Sequence, residues 1–358
     1  MRIAQSILKI HGHHILFFLF ILMYFVPSSV YSSEVFTDSI RKQDTVIVAK
    51  SMSYQVAPDL YYVFERPKMF HFAKAIPSDI SSYCKITFRK ENLMKVAYMI
   101  AGTAVLVVFD QPITDGAKSL GRSLNIAPTN NQKTFLDLSF SIGSTKIPLP
   151  LNGPYDLNSS LYFLGDGITH FSIAGGFWAF GLIKKDNRAL QTASQLTESI
   201  LAAGLAVQFL KHITGRESPF TATTPGGLWR VFPNQFIYST HVPHYDAFPS
   251  GHIATAMATV TVIAANYPEY KFIRPLGYTC MGLLTFAMLN NGVHWASDYP
   301  LGLAMGYVFA KIAVDRGRTV IDKGKTKQSF HNFNWLKSAQ ITPAYSGQTL
   351  GCQMSWSF

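Results

Sequence analysis

Pro249-Ser-Gly-His-Ile-Ala-Thr-Ala-Met-Ala-Thr-Val-Thr-Val-Ile-Ala-Ala265 is a turn followed at once by an unbroken run of small and apolar residues. The run is long enough for a buried helix, and Ser250 stands where an N-cap belongs. Similar apolar stretches on either side predict helices near 158–183, 189–213, 275–290 and 296–314, around a helix over 251–266. Polar or proline breaks separate them at Lys184-Lys-Asp-Asn187 and Tyr267-Pro268. The expected fold is all-α, a helical bundle.

Lys211, His252 and His294 are almost evenly spaced, each pair separated by about one helix down and one back, so all three are expected at one end of the bundle. That end has the makings of an anion site. A helix N-terminus presents free amides and a positive dipole end, Gly251 lets the backbone approach an oxyanion, and His252 stands beside that anion, ready to protonate a leaving oxygen. His294 and Asp298 are four apart, which on a helical turn puts them on one face. The carboxylate can then hold one imidazole nitrogen and leave the other free to attack. Taken singly, each residue has a structural alternative: a satisfied histidine, an ordinary Ser-Gly cap, a surface lysine near a helix C-terminus. The joint order, with apolar helices between, carries the functional reading.

These segments resemble the signature of the type 2 phosphatidic acid phosphatase and vanadium haloperoxidase superfamily, written K-x6-R-P, P-S-G-H and S-R-x5-H-x3-D. The resemblance covers roughly residues 157–314, with P-S-G-H intact at Pro249 to His252 and H-x3-D at His294 and Asp298. It implies His294 as nucleophile, Asp298 as its orienter, His252 as general acid, and Lys211, Ser250 and Gly251 as phosphate ligands. Two positions depart. Ser218 stands at the first family arginine, and Met288, preceded by Ala287, at the second. Arg216 in Gly215-Arg-Glu-Ser-Pro219 is the expected substitute clamp, with Arg230 in the same loop.

The chain has 358 residues, 48% hydrophobic and only 14% charged, which is ample for a large core. Its net charge of +11 is scattered rather than clustered with stacking aromatics, which gives a nucleic-acid partner little support and favours phosphorylated substrates or anionic headgroups; no nucleic-acid partner is expected. Cys84, Cys280 and Cys352 show neither metal spacing nor a disulfide framework. No metal and no cofactor is expected.

Residues 1–32 resemble a secretory signal, with Arg2 and Lys9, an apolar run from Ile15 to Val26 and a small-residue exit cleavable after Ser32; an uncleaved anchor is the alternative. Residues 33–91 read as an irregular extension that includes the β-leaning Thr45-Val-Ile-Val-Ala49. Residues 92–156 read as a first helix over 92–109, ending near Asp110-Gln-Pro112, then a Gly- and Pro-rich cap in which Lys146 to Pro154 is not helical. The phosphatase-like core is expected over 157–318. In the tail, 319–358, Cys352-Gln-Met-Ser-Trp-Ser-Phe358 alternates like a strand, faintly resembles the last strand of an outer-membrane barrel, and is expected to be an edge strand packed on the domain. Asp166, between two glycines, reads as a turn or helix cap, and Glu198 inside an apolar helix needs a partner.

Lys184, Lys185, Arg188, Lys271, Arg274, Arg316, Arg318, Lys323 and Lys325 fall at one end of the predicted helices, and Lys211, His252 and His294 at the other, which by the positive-inside rule turns the catalytic end to the periplasm. Most apolar runs are about 13 to 15 residues, short of the ~20 a span needs, and mean hydropathy is only +0.15. The expectation is an exported envelope protein associated with the membrane, with spanning left open. The function expected is hydrolysis of a phosphomonoester or pyrophosphate, of a lipid or another metabolite, through a phosphohistidine. The alternatives are a catalytically weak or non-catalytic anion-binding envelope protein and a vanadate-dependent haloperoxidase.

Overall fold

The computed structural model describes residues 51–129, 131–142, 145–323, 339–346 and 349–356, so the expected signal and residues 33–50 lie outside the described residues. The described residues up to Ile321 form one compact unit and those from Asp322 a second. The first is helical: α1 (His71–Thr87), α2 (Lys90–Ser123), α3 (Leu157–Tyr162), α4 (Gly167–Lys184), α5 (Asn187–Thr214), α6 (Gln235–Thr240), α7 (Gly251–Asn266), α8 (Ile273–Asn290) and α9 (Tyr299–Gly317). Strands β1 (Ser51–Ala57) and β2 (Leu60–Glu65) pair antiparallel and continue to β5 (Thr319–Asp322), while β3 (Gln132–Ile142) and β4 (Thr145–Pro154) make a hairpin. The second unit holds a hairpin of β6 (Ala339–Ser346) and β7 (Thr349–Trp356), with Ala339 opposite Trp356.

α7 is the central helix, packed on α9, α5, α8 and α4. Its start follows from its sequence: the Ser250 hydroxyl accepts the Ile253 amide at 3.4 Å, and Ile253, Ala254, Ala258 and Val262 are buried along it. Small residues set how closely α9 lies. A side chain at Gly306 would come within 2.1 Å of the Ala254 carbonyl, and one at Gly302 within 2.6 Å of the Ser250 carbonyl. Asp166 caps α4 by accepting the Ile168 amide at 2.8 Å, and Asp186 caps α5 through Ala189 at 2.9 Å. α5 ends at Gly215, whose φ of 53° suits glycine and turns the chain back toward the site.

Several elements differ from expectation. α1 lies where an irregular extension was expected, because an amphipathic face survives the interior Pro77: Tyr83 stacks on Phe309 at 4.7 Å, and Asp79, buried, pairs with Arg316, which also takes Glu198. α2 does not stop at Pro112. A proline removes one backbone bond, and the turns beyond it are held by buried Thr114 and Gly121 against the bundle. The expected helix over 158–183 is broken by a 3-10 turn at Phe163–Gly165, and the one over 296–314 begins with a 3-10 turn at Ala296–Asp298. The tail strand is not a lone edge strand; its partner is β6.

The outer faces are apolar. Tyr98, Ile100, Val105, Val108 and Phe109 of α2 and Trp178, Phe180 and Ile183 of α4 are exposed. Among the described residues, α2 is the helix long and apolar enough to cross a membrane by length and composition.

Candidate active site

Three elements deliver the expected residues to one end of the bundle: the last turn of α5 brings Lys211, the first turn of α7 brings Ser250, Gly251 and His252, and the turn between α8 and α9 brings His294 and Asp298. The His252 and His294 rings lie 5.8 Å apart at 71°. His252 is hemmed in by Tyr162 at 4.5 Å and by Gly165, where a side chain would come within 2.9 Å of its Cβ. Burial, with His294 and Lys211 adding to it, holds His252 well below the usual imidazole range.

His294 is buried, and its Nδ1 lies 2.7 Å from the Ala247 carbonyl and 3.4 Å from Asp298 Oδ2. A carbonyl only accepts, so Nδ1 donates to it, and in the neutral tautomer that this selects, Nε2 is the nitrogen with a free lone pair. The nearest orienting group is thus a backbone oxygen of the Asp246-Ala-Phe-Pro loop, with the carboxylate behind it. Nor are His294 and Asp298 on an α-helix; the intervening backbone is a 3-10 turn, closed by the Trp295 amide on Asp298 Oδ2 at 2.7 Å. The Ser250 amide donates to the Asp298 carbonyl at 3.0 Å, tying the start of α7 to that turn. Ser250 also caps α7, so of the first-turn amides those of Gly251 and His252 have no partner among the described residues.

Lys211 is buried, with its ammonium 3.4 Å from the half-buried Asp246 carboxylate. Arg216 stands differently from the free clamp expected of it. It is fully buried, framed by the Trp229 and Trp295 rings, with Nη1 on Asp298 Oδ1 and Ser297 Oγ at 2.6 Å each and Nη2 on Asp110 Oδ2 at 2.5 Å. Two carboxylates therefore hold the guanidinium that was expected to meet phosphate. Arg230 pairs with Glu217 at 2.7 Å. Of the two departing positions, Met288 is buried with its sulfur 4.0 Å from Ser250 Oγ, and Ser218 donates its amide to the Pro243 carbonyl.

Sequence reasoning missed Asp110, Ser297, Asp246 and Tyr162. Asp110 had a signal: it is an acid closing an apolar run, and a buried charge needs a partner.

Two histidines, a lysine and uncapped helix amides converge here in the order of one phosphate-handling signature. Residues 192–319 match the family model of the PAP2 superfamily. No curated protein and no solved structure matches the chain. The PAP2 segment holds Lys211, Arg216, Ser250, Gly251, His252, His294 and Asp298, while Asp110 and Tyr162 lie before it. Members of this superfamily are generally phosphatases, and the segment supports phosphoester hydrolysis as the class of activity.

Proposed function

We propose that this protein hydrolyses a phosphomonoester or pyrophosphate through a phosphohistidine on His294. The observation that carries the reading is the His294 ring, tied through Nδ1 to the Ala247 carbonyl so that Nε2 is the nitrogen left for attack, 5.8 Å from the His252 ring. In the first step Nε2 attacks phosphorus, the bond from phosphorus to the leaving oxygen breaks, and His252 gives that oxygen its proton. Lys211 and the amides of Gly251 and His252 stabilise the equatorial oxygens. In the second step His252 takes a proton from water, the new oxygen bonds phosphorus, and the bond to Nε2 breaks, releasing phosphate.

Lys211 and Asp246 form a charge-balanced pair at the pocket, so phosphate binding rests more on helix amides than on cations. The apolar faces of α2 and α4 support membrane association and a lipid phosphate or another phosphorylated metabolite as substrate, while export rests on the signal-like sequence of residues 1–32. A second reading, a non-catalytic anion-binding protein, draws on Ser218 and Met288 where guanidiniums would clamp phosphate. Phosphate release from a panel of lipid and soluble phosphates separates the two. His294→Ala should lower release by at least about a thousandfold with the fold retained; a His294→Ala enzyme within tenfold of wild type overturns the nucleophile assignment.

A further inference from the structure

Asp110 lies on α2, before the PAP2 segment, and is fully buried. Its Oδ1 accepts the Ser297 amide at 2.9 Å, and its Oδ2 accepts the Ser297 hydroxyl at 2.6 Å and Arg216 Nη2 at 2.5 Å. Arg216 passes the contact on through Nη1 to Asp298 Oδ1, and Asp298 Oδ2 faces the His294 imidazole. An unbroken chain of buried contacts thus links α2 to the ring expected to attack phosphorus.

The charges give that chain a purpose. A guanidinium gripping Asp298 alone would draw off much of the negative charge that Asp298 presents to His294. Shared with Asp110, it leaves the three groups with one excess negative charge, and all three are 0% exposed. An unmatched buried charge is costly, and only part of that cost is met by the Ser297 and Trp295 amides. The imidazole gains positive charge when Nε2 bonds phosphorus, so the excess is matched in the phosphorylated state and not in the free one.

We infer that Asp110 is a positioning residue for His294, acting through Ser297 and Arg216 on Asp298, so that α2 supplies part of the site's electrostatics from outside the PAP2 segment. The inference rests on the phosphohistidine reading above. A purely structural role for Asp110 would be to dock α2 on the bundle. Thr114 shares that role: it lies one turn further along the same buried strip, with a hydroxyl that has no hydrogen-bond partner among the described residues.

The test compares full-length wild type, Asp110→Asn, Thr114→Val and Ser297→Ala, each with its thermal midpoint. It measures kcat and KM on nitrophenyl phosphate and the binding of orthovanadate and inorganic phosphate. Vanadate accepts a fifth ligand and bonds Nε2, whereas phosphate only accepts hydrogen bonds. Asp110→Asn should lower kcat and vanadate affinity together by about 10- to 100-fold, with KM and phosphate affinity within about twofold, and Thr114→Val should match wild type. Folded Asp110→Asn with wild-type kcat and vanadate affinity overturns the inference. So does an equal loss of vanadate and phosphate binding, or an equal effect of Thr114→Val. Should Asp110→Asn not fold, Ser297→Ala carries the test, with the same split expected at about 5-fold and a wild-type result overturning it. If wild type binds vanadate but releases no phosphate from any ester, the hydrolase reading fails, and the vanadate-to-phosphate split still judges Asp110.

Discussion

Burial keeps the His252 imidazole neutral in the free site, yet protonating a leaving oxygen needs it charged. The two demands meet at acid pH. Because its pKa is lowered, the protonated fraction of His252 is small at pH 7 and grows as pH falls, so kcat/KM for an alkyl phosphate should rise from pH 8 to pH 5. His252→Ala should flatten that rise and cost far less with a nitrophenyl leaving group than with an alkyl one, since a weakly basic oxygen leaves without help. Initial rates for both substrates across pH check this; an equal loss on both argues against the general-acid role. The motif residues were legible singly, because Pro249 to His252 and His294 with Asp298 stand in a recognisable order. The Ala247 carbonyl on Nδ1 was not, since any residue type offers the same oxygen.

Gly302 and Gly306 let α9 lie against the first turns of α7, and Gly302 faces the carbonyl of Ser250. That couples helix packing to the site. Gly302→Ala places a methyl 2.6 Å from that carbonyl, where backbone must move, so it should destabilise the protein by about 1 to 3 kcal/mol. It should also lower kcat, because the Ser250 amide is bonded to the Asp298 carbonyl and both would shift. Thermal midpoints with kinetics at a temperature where the variant is folded test this; a stable, fully active Gly302→Ala would show that α9 has slack. Helix starts were readable from Asp166 and Ser250. The existence of α1 and the length of α2 were not, because Pro77 and Pro112 speak for a break and only the surfaces the helices pack on outweigh it.

The bundle is closed at the end away from the histidines by two arginines: buried Arg188 on the Asn266 carbonyl at 2.7 Å and on Glu269, and the more exposed Arg316 on buried Glu198 and Asp79. Between the ends, His170 of α4 meets Thr259 of α7 at 2.9 Å, and burial pushes its pKa down to about 4. A histidine held neutral by burial binds fewer protons folded than unfolded, so stability is fully present above the unfolded value of about 6.5 and is lost as pH falls toward the folded one. The loss from His170 alone should approach about 3 kcal/mol near pH 4. Denaturant melts of wild type and His170→Asn between pH 7 and pH 4 should show a smaller acid loss in the variant; parallel curves would mean that His170 is hydrated.

The all-α class, the central helix, the capping residues and the set Lys211, His252, His294 and Asp298 were determined by the sequence alone, because periodicity, caps and motif order are local and need no partner. Tertiary structure alone decided where the charges went. Arg216 sits next to a phosphate motif in sequence, yet its guanidinium is buried between Asp298 and Asp110, the latter on a helix that precedes the motif. A buried charge takes the best-matched partner that folding brings within reach, and that choice depends on which helix surfaces meet.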